Sequence, residues 1–109
     1  MRQDWEISPA ELKQLIDSGE PLYLCDVREA DEFDICRIIG SKLHPLSQFR
    51  DATAEIPNDR LVITICHHGV RSLNAAAHLK QELGYTNVRS LAGGIERWAR
   101  EIDPKMPRY

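Results

Sequence analysis

The sequence predicts an α/β fold built on a largely parallel sheet. Short apolar runs alternate along the chain with amphipathic stretches, so that strands are separated by helical segments. The strongest run, Leu61-Val62-Ile63-Thr64-Ile65, is β-branched and nearly all apolar, the pattern of a strand covered on both faces. The length agrees: 109 residues suit one modest domain over 1–109. A chain of that size buries roughly two-thirds of its unfolded surface, enough for a core without metal or disulfide staples.

Each element has its own signal. Trp5-Glu6-Ile7 is expected to add an edge strand. Ser8-Pro9-Ala10-Glu11 then starts a helix: Ser8 caps, Pro9 suits the first turn and Glu11 sits at the capping-box position. Leu12, Leu15 and Ile16 give that helix one apolar face, and Gly19 and Pro21 stop it. Leu22 to Val27 reads as a buried strand, Glu29 to Ile35 as a short helix, and Ile38 to Leu43 as a weaker strand. Leu46 to Ile56 is predicted helical, ending before Pro57. After the strong strand, a helix is expected from about Ser72 to Leu83, with Ala75, Ala76, Leu79 and Leu83 on its buried side and Gly84 as terminator. Asn87 to Leu91 is the last strand. Gly93-Gly94 opens a final helix in which Ile95, Trp98, Ala99 and Ile102 recur at helical spacing, with Trp98 facing the core. The tail, Asp103 to Tyr109, holds two prolines and is expected to be irregular.

Composition narrows the function classes. Apolar residues are 42% and charged residues 28%, an ordinary globular balance that argues against disorder. Lys plus Arg number 14 against 17 Asp plus Glu, a net charge of -3 that argues against general nucleic-acid binding. No apolar run approaches a membrane span. Met1 to Ile7 carries Asp4 and Glu6 and no apolar core of a secretory leader. Three cysteines, Cys25, Cys36 and Cys66, without a leader point to free thiols in a reducing compartment, and so to a cytoplasmic location.

Chemistry concentrates after the strong strand, in Cys66-His67-His68-Gly69-Val70-Arg71. In open α/β sheets ligands bind beyond the carboxyl ends of the strands. The segment leads into a helix N-terminus, where unpaired N–H groups and the helix dipole favour negative charge. A loop curled there forms a nest of N–H donors, and Gly69 has the backbone freedom a tight loop needs. A sulfur in such a nest is favoured as thiolate, the nucleophilic form. Arg71 supplies a fixed cation with a fork of donors suited to an oxyanion. Taken alone, a cysteine at a strand end is more often a small buried hydrophobe. The preceding strand, the Gly and Arg of the loop and the following helix together favour the nucleophile.

Other residues read more plainly. Cys25 is core packing, and Cys36, in a polar turn, a bystander. Three consecutive loop residues do not converge on one tetrahedral centre, so Cys66, His67 and His68 are not read as a metal site, and no cofactor is expected. His67 and His68 are loop-wall residues that add positive potential when protonated; His44 and His78 are structural or exposed. Asp26 and Arg28 are expected to pair near a strand end in a structural role. Gly93-Gly94 is expected to permit close packing and a helix start, since its spacing matches no phosphate loop. Asp26, Glu29, Asp31, Glu32 and Asp34 read most simply as a solvated acidic face.

The chain resembles a rhodanese-like domain, a sulfurtransferase module, over essentially its full length. Asp26-Val27-Arg28-Glu29 with Glu32-Phe33 is similar to the family's first motif, Cys66 to Ser72 to its active-site loop, and Leu91-Ala92-Gly93-Gly94 with Trp98 to its C-terminal motif. The resemblance implies a five-stranded, mainly parallel sheet flanked by helices. It also implies a catalytic Cys66 that takes sulfur from a small anionic donor such as thiosulfate. The persulfide then passes the sulfur to cyanide, a thiol or a protein acceptor, with no nucleic acid or membrane involved. The backbone of His67, His68, Gly69 and Val70 would hold the terminal sulfur, and Arg71 the donor's oxygens. The loop has four residues between Cys66 and Arg71; phosphatases of this fold carry one more, so the shorter loop favours sulfur over phosphoryl transfer. A protein-to-protein sulfur relay is the first alternative, and a cysteine phosphatase or arsenate reductase the second. One stretch departs from the pattern: Cys36-Arg37-Ile38-Ile39-Gly40-Ser41 lacks the family's Gly-His pair and its Pro. The topology is expected to keep Cys36 away from Cys66, and so catalytically silent.

Overall fold

A computed structural model describes residues 5–109; Met1 to Asp4, part of the stretch read above for a leader, lie outside the described residues. Five strands, β1 (Glu6–Ile7), β2 (Leu22–Asp26), β3 (Lys42–Leu43), β4 (Leu61–Ile65) and β5 (Val88–Leu91), form one sheet in the order β1-β5-β4-β2-β3. Every pairing is parallel. β4 lies at the centre, as its apolar sequence requires, and its residues Val62 to Ile65 are fully buried. Among the described residues five α-helices flank the sheet: α1 (Pro9–Asp17), α2 (Ala30–Ile35), α3 (Phe49–Ala52), α4 (Val70–Gln81) and α5 (Gly94–Glu101). None is long and apolar enough to cross a membrane.

The alternation of side chains along the strands builds two cores, one on each face of the sheet. Ile63, Ile65 and Leu91 pack with Ile7, Leu12, Ile95 and Trp98 on the face of α1 and α5. Val62, Val88 and Cys25 pack with Phe49, Ala75, Ala76 and Leu79 on the other face. The capping box of α1 forms in full: Glu11 N–H donates to Ser8 Oγ at 3.1 Å and Ser8 N–H to Glu11 Oε1 at 3.2 Å. Gly84, at φ +73°, ends the α4 segment, and Tyr85 N–H donates back to the Leu79 carbonyl, the long bond of a Schellman turn.

Several expectations need correction. The strand predicted from Ile38 shrinks to Lys42–Leu43, because Ser41 N–H and Oγ both donate to the Ile38 carbonyl and Gly40 takes φ +89°. That turn leaves Ile39 95% exposed. Leu46 to Ile56 is broken into a 3-10 turn, the single turn of α3 and a second 3-10 turn. Helix α4 starts two residues earlier than expected, at Val70, and Leu83 lies beyond it on the surface. After Glu101 there is neither helix nor strand, yet the tail is anchored: Arg108 pairs with Glu96.

Candidate active site

The end of β4 delivers Cys66 into the turn before α4, where it is 1% exposed. Gly69 N–H donates to Cys66 Sγ at 3.0 Å. Gly69 adopts φ +99°, which turns that N–H inward, and a Cβ there would press on the backbone of Gly93 and Leu91. Beneath the sulfur, the thiol meets Ser72 Oγ at 3.3 Å.

The loop is held from behind by α5. Ile95 N–H donates to the Cys66 carbonyl at 2.8 Å and Glu96 N–H to the His67 carbonyl at 3.0 Å. The otherwise unpaired N–H groups of one helix start therefore hold two of the loop's carbonyls. Gly94, at φ +63°, makes this approach possible: a Cβ would collide with both carbonyl oxygens. The Gly93-Gly94 pair thus works as a close-packing element and helix start.

Arg71 closes the other side. Its guanidinium donates from Nη1 and Nη2 to the two oxygens of Glu32 at 2.8 and 2.9 Å. Those hydrogen bonds hold the Glu32 carboxyl at about 2, well below its ordinary range. Glu32 is therefore not part of a solvated face, as its setting in an acidic stretch suggested; it is the counter-ion of the loop's arginine. Asp26 leaves that face too. It is fully buried beside a fully buried Arg28, whose Nη2 donates to Asp26 Oδ2 at 2.7 Å and to the Cys36 carbonyl at 2.6 Å. Glu29, Asp31 and Asp34 are exposed.

Tyr109, which no local pattern marks, joins the two groups. Arg28 Nη1 donates to its hydroxyl at 3.0 Å, and the hydroxyl donates to Glu32 Oε2 at 2.9 Å. Its ring stacks on His67 at 3.9 Å, and His67 stacks on His68 at 4.0 Å. Burial and the neighbouring imidazole push the His67 ring below its ordinary value, so it favours the neutral form. His67 therefore adds positive potential only at a lower pH than a free imidazole would. His68 and Val70 are exposed, Val70 by 70%. His44 is buried and shares a 2.6 Å hydrogen bond with Tyr23, while His78 lies edge-on to Phe49. Among the described residues, no His, Cys, Asp and Glu side chains gather into a metal-holding group.

The other cysteines are both core residues. Burial, with Asp26 alongside, pushes the Cys25 thiol far up, which keeps it a protonated hydrophobe. Cys36 is not in a polar turn. It is 7% exposed and packs in the core on the α1 and α5 face, whereas Cys66 belongs to the core on the opposite face.

Known proteins are similar to this chain in sequence and in fold. The Rhodanese-like domain family matches residues 8–101. A probable adenylyltransferase/sulfurtransferase, MoeZ of Mycobacterium tuberculosis, is 40% identical over 94% of the chain, which corresponds to 26% of that protein. The chain thus spans about a quarter of that relative's length. Among solved structures, a rhodanese-related protein of Thermoplasma volcanium superposes with a TM-score of 0.77 at 32% identity, covering 89% of this chain and 92% of that one. The human single-domain sulfurtransferase TSTD1 superposes with a TM-score of 0.74 at 27% identity, covering 89% and 96%. With the all-parallel five-stranded sheet, the loop at the end of its central strand and the family match over most of the chain, the protein belongs to the rhodanese-like domain family.

Proposed function

We propose that this protein is a thiosulfate-type sulfurtransferase working through a persulfide on Cys66. The observation that carries the reading is the Gly69 N–H set 3.0 Å from the Cys66 sulfur at the start of α4, a donor arrangement that favours a sulfur anion. The Cys66 thiolate attacks the outer sulfur of the donor. An S–S bond forms to Cys66, the donor's own S–S bond breaks, and its electron pair leaves with sulfite. The acceptor, cyanide or a thiolate, then attacks the terminal sulfur and returns Cys66 as thiolate. The remaining Arg71 N–H groups bind the donor's oxygens while Glu32 holds the guanidinium plane. The four residues between Cys66 and Arg71 suit a cradle for one sulfur. Three free thiols fit a reducing compartment such as the cytoplasm.

A relay between proteins is the second reading. The apolar Val70 side chain, 70% exposed at the first residue of α4 beside the loop, is a contact that a protein acceptor would use and cyanide would not. Intact-protein mass spectrometry after thiosulfate treatment tests the chemistry. One added sulfur, removable by cyanide or dithiothreitol and absent in Cys66→Ser, is expected. A full-strength adduct in the folded Cys66→Ser variant would overturn the assignment. Fast sulfur transfer to a protein thiol with poor thiosulfate turnover would favour the relay.

A further inference from the structure

Two hydroxyls lie behind the Cys66 sulfur. Ser72 in the first turn of α4 and Ser90 on β5 are both fully buried. Ser72 Oγ sits 3.3 Å from the sulfur and 2.7 Å from Ser90 Oγ. The Ser72 carbonyl is occupied separately by the Thr64 hydroxyl at 2.8 Å. Sulfur, Ser72 and Ser90 therefore form a three-membered chain in which each link is a rotatable X–H group.

The chain has two polarities, and they are not equivalent. With Cys66 as thiol, the S–H donates to Ser72 and Ser72 donates to Ser90. The Ser90 proton is then stranded, since among the described residues its hydroxyl pairs with Ser72. With Cys66 as thiolate, the sulfur has no proton and only accepts. Both hydroxyls rotate: Ser72 donates to the sulfur and Ser90 donates to Ser72. Every proton in the chain is now used, and the bond to sulfur is charge-assisted, roughly twice as strong as a neutral one. The second link polarises the first. The nearby guanidinium of Arg71 is already paired with Glu32, so these neutral donors add to the loop's N–H groups without adding net charge.

We infer that Ser90 is a positioning residue for the nucleophile: acting through Ser72, it biases Cys66 toward the thiolate. This rests on the reading of Cys66 as the reactive sulfur, but its test needs no sulfur transfer. Iodoacetamide alkylation of the native protein, followed on the Cys66 peptide by mass spectrometry, reads the thiolate directly. At neutral pH Ser72→Ala is expected to slow alkylation about tenfold, the rate equivalent of one charged hydrogen bond, and Ser90→Ala by a smaller factor. The double variant should be no slower than Ser72→Ala alone, because Ser90 has no separate route to the sulfur. At alkaline pH all rates should converge, an outcome that a purely structural role would not produce. Wild-type alkylation in Ser90→Ala, or singles whose factors multiply in the double variant, would overturn the inference. Should either alanine variant fail to fold, the infrared S–H stretch of the wild type in acid decides. A Cys66 band, identified by its loss in Cys66→Ser, should lie at the lowered frequency of a donating thiol; a free-thiol frequency would sink the proposal. Absence of a persulfide with thiosulfate, combined with the expected alkylation pattern, would reject the sulfurtransferase reading and leave the hydroxyl chain standing.

Discussion

At the scale of single residues, Arg71 and Glu32 share one charge problem. Arg71 carries the loop's fixed cation, yet its fork is already closed on a carboxylate. Replacing it by Ala removes the proposed anchor of the sulfur donor and strands Glu32. The donor half-reaction should lose roughly 1.5–3 kcal/mol, about ten- to a hundred-fold in kcat/KM for thiosulfate. Arg71→Lys should recover part of that loss, since a point charge does not reproduce the bidentate fork. Stopped-flow persulfide formation reads both. The Glu32 carboxyl, held at about 2 by those same hydrogen bonds, also makes a stability prediction. A folded value below the unfolded one contributes stability above the ordinary carboxylate range, and that contribution is lost as pH falls toward about 2. In denaturant titrations, Glu32→Gln should be less stable than wild type at neutral pH, and the gap should close as pH approaches that value. An unchanged gap in acid would rule out the ion pair as its source. Cys66, Gly69 and Arg71 were legible in the sequence because they are neighbours in one loop with fixed spacing. Glu32, Ser90 and Tyr109 were not: they reach the site from 39 residues away in the Arg71–Glu32 pair, 18 in the Ser72–Ser90 pair and 77 in the Tyr109–Glu32 pair, and no periodicity encodes such meetings.

At the scale of elements, the start of α5 decides the shape of the loop. Gly94→Ala forces a methyl into the Cys66 and His67 carbonyls at a positive φ. Backbone strain of this kind costs about 1–3 kcal/mol before any clash is counted, so thermal unfolding should shift down strongly and the persulfide yield fall with it. Gly40→Ala is the control: its φ is also positive, but nothing lies within 4 Å of a Cβ there. It should lose about 1 kcal/mol with the persulfide intact. Equal losses in the two variants would mean that α5 does not brace the loop. The elements themselves were readable wherever a cap or a long apolar run marked them, as in α1, β2, β4 and α5. The stretch from Ile38 to Ile56 misled because apolar residues there serve turns. Ile38 is buried by a turn that Gly40 closes, and Phe49 and Ile56 reach the core from separate short turns rather than from one helix face.

At the scale of the whole molecule, the sheet is a partition. Cys36 and Cys66 belong to cores on opposite faces of it, so the two thiols sit in separate packing environments. Cys36→Ser should therefore keep both persulfide yield and turnover, and a peptide map of natively oxidised protein should contain no Cys36–Cys66 bridge. The fold class and the parallel sheet were legible because alternating strands and helices with an apolar central strand admit few other arrangements. The placement of the tail was not, since Tyr109 is fixed by contacts with the loop and α2 rather than by any pattern of its own.

The strand order has a consequence for how the protein comes into being. β1 pairs with β5, so Glu6 waits for Ser90, and the carbonyls of the reactive loop wait for the N–H groups of Ile95 and Glu96. A ribosome delivers Cys66 some thirty residues before Ile95 and Glu96, whose N–H groups hold the loop's carbonyls. Until those two residues are made, the carbonyls of Cys66 and His67 lack the partners they have in the finished fold. The loop takes its final form only once α5 has docked on it and β1 has paired with β5.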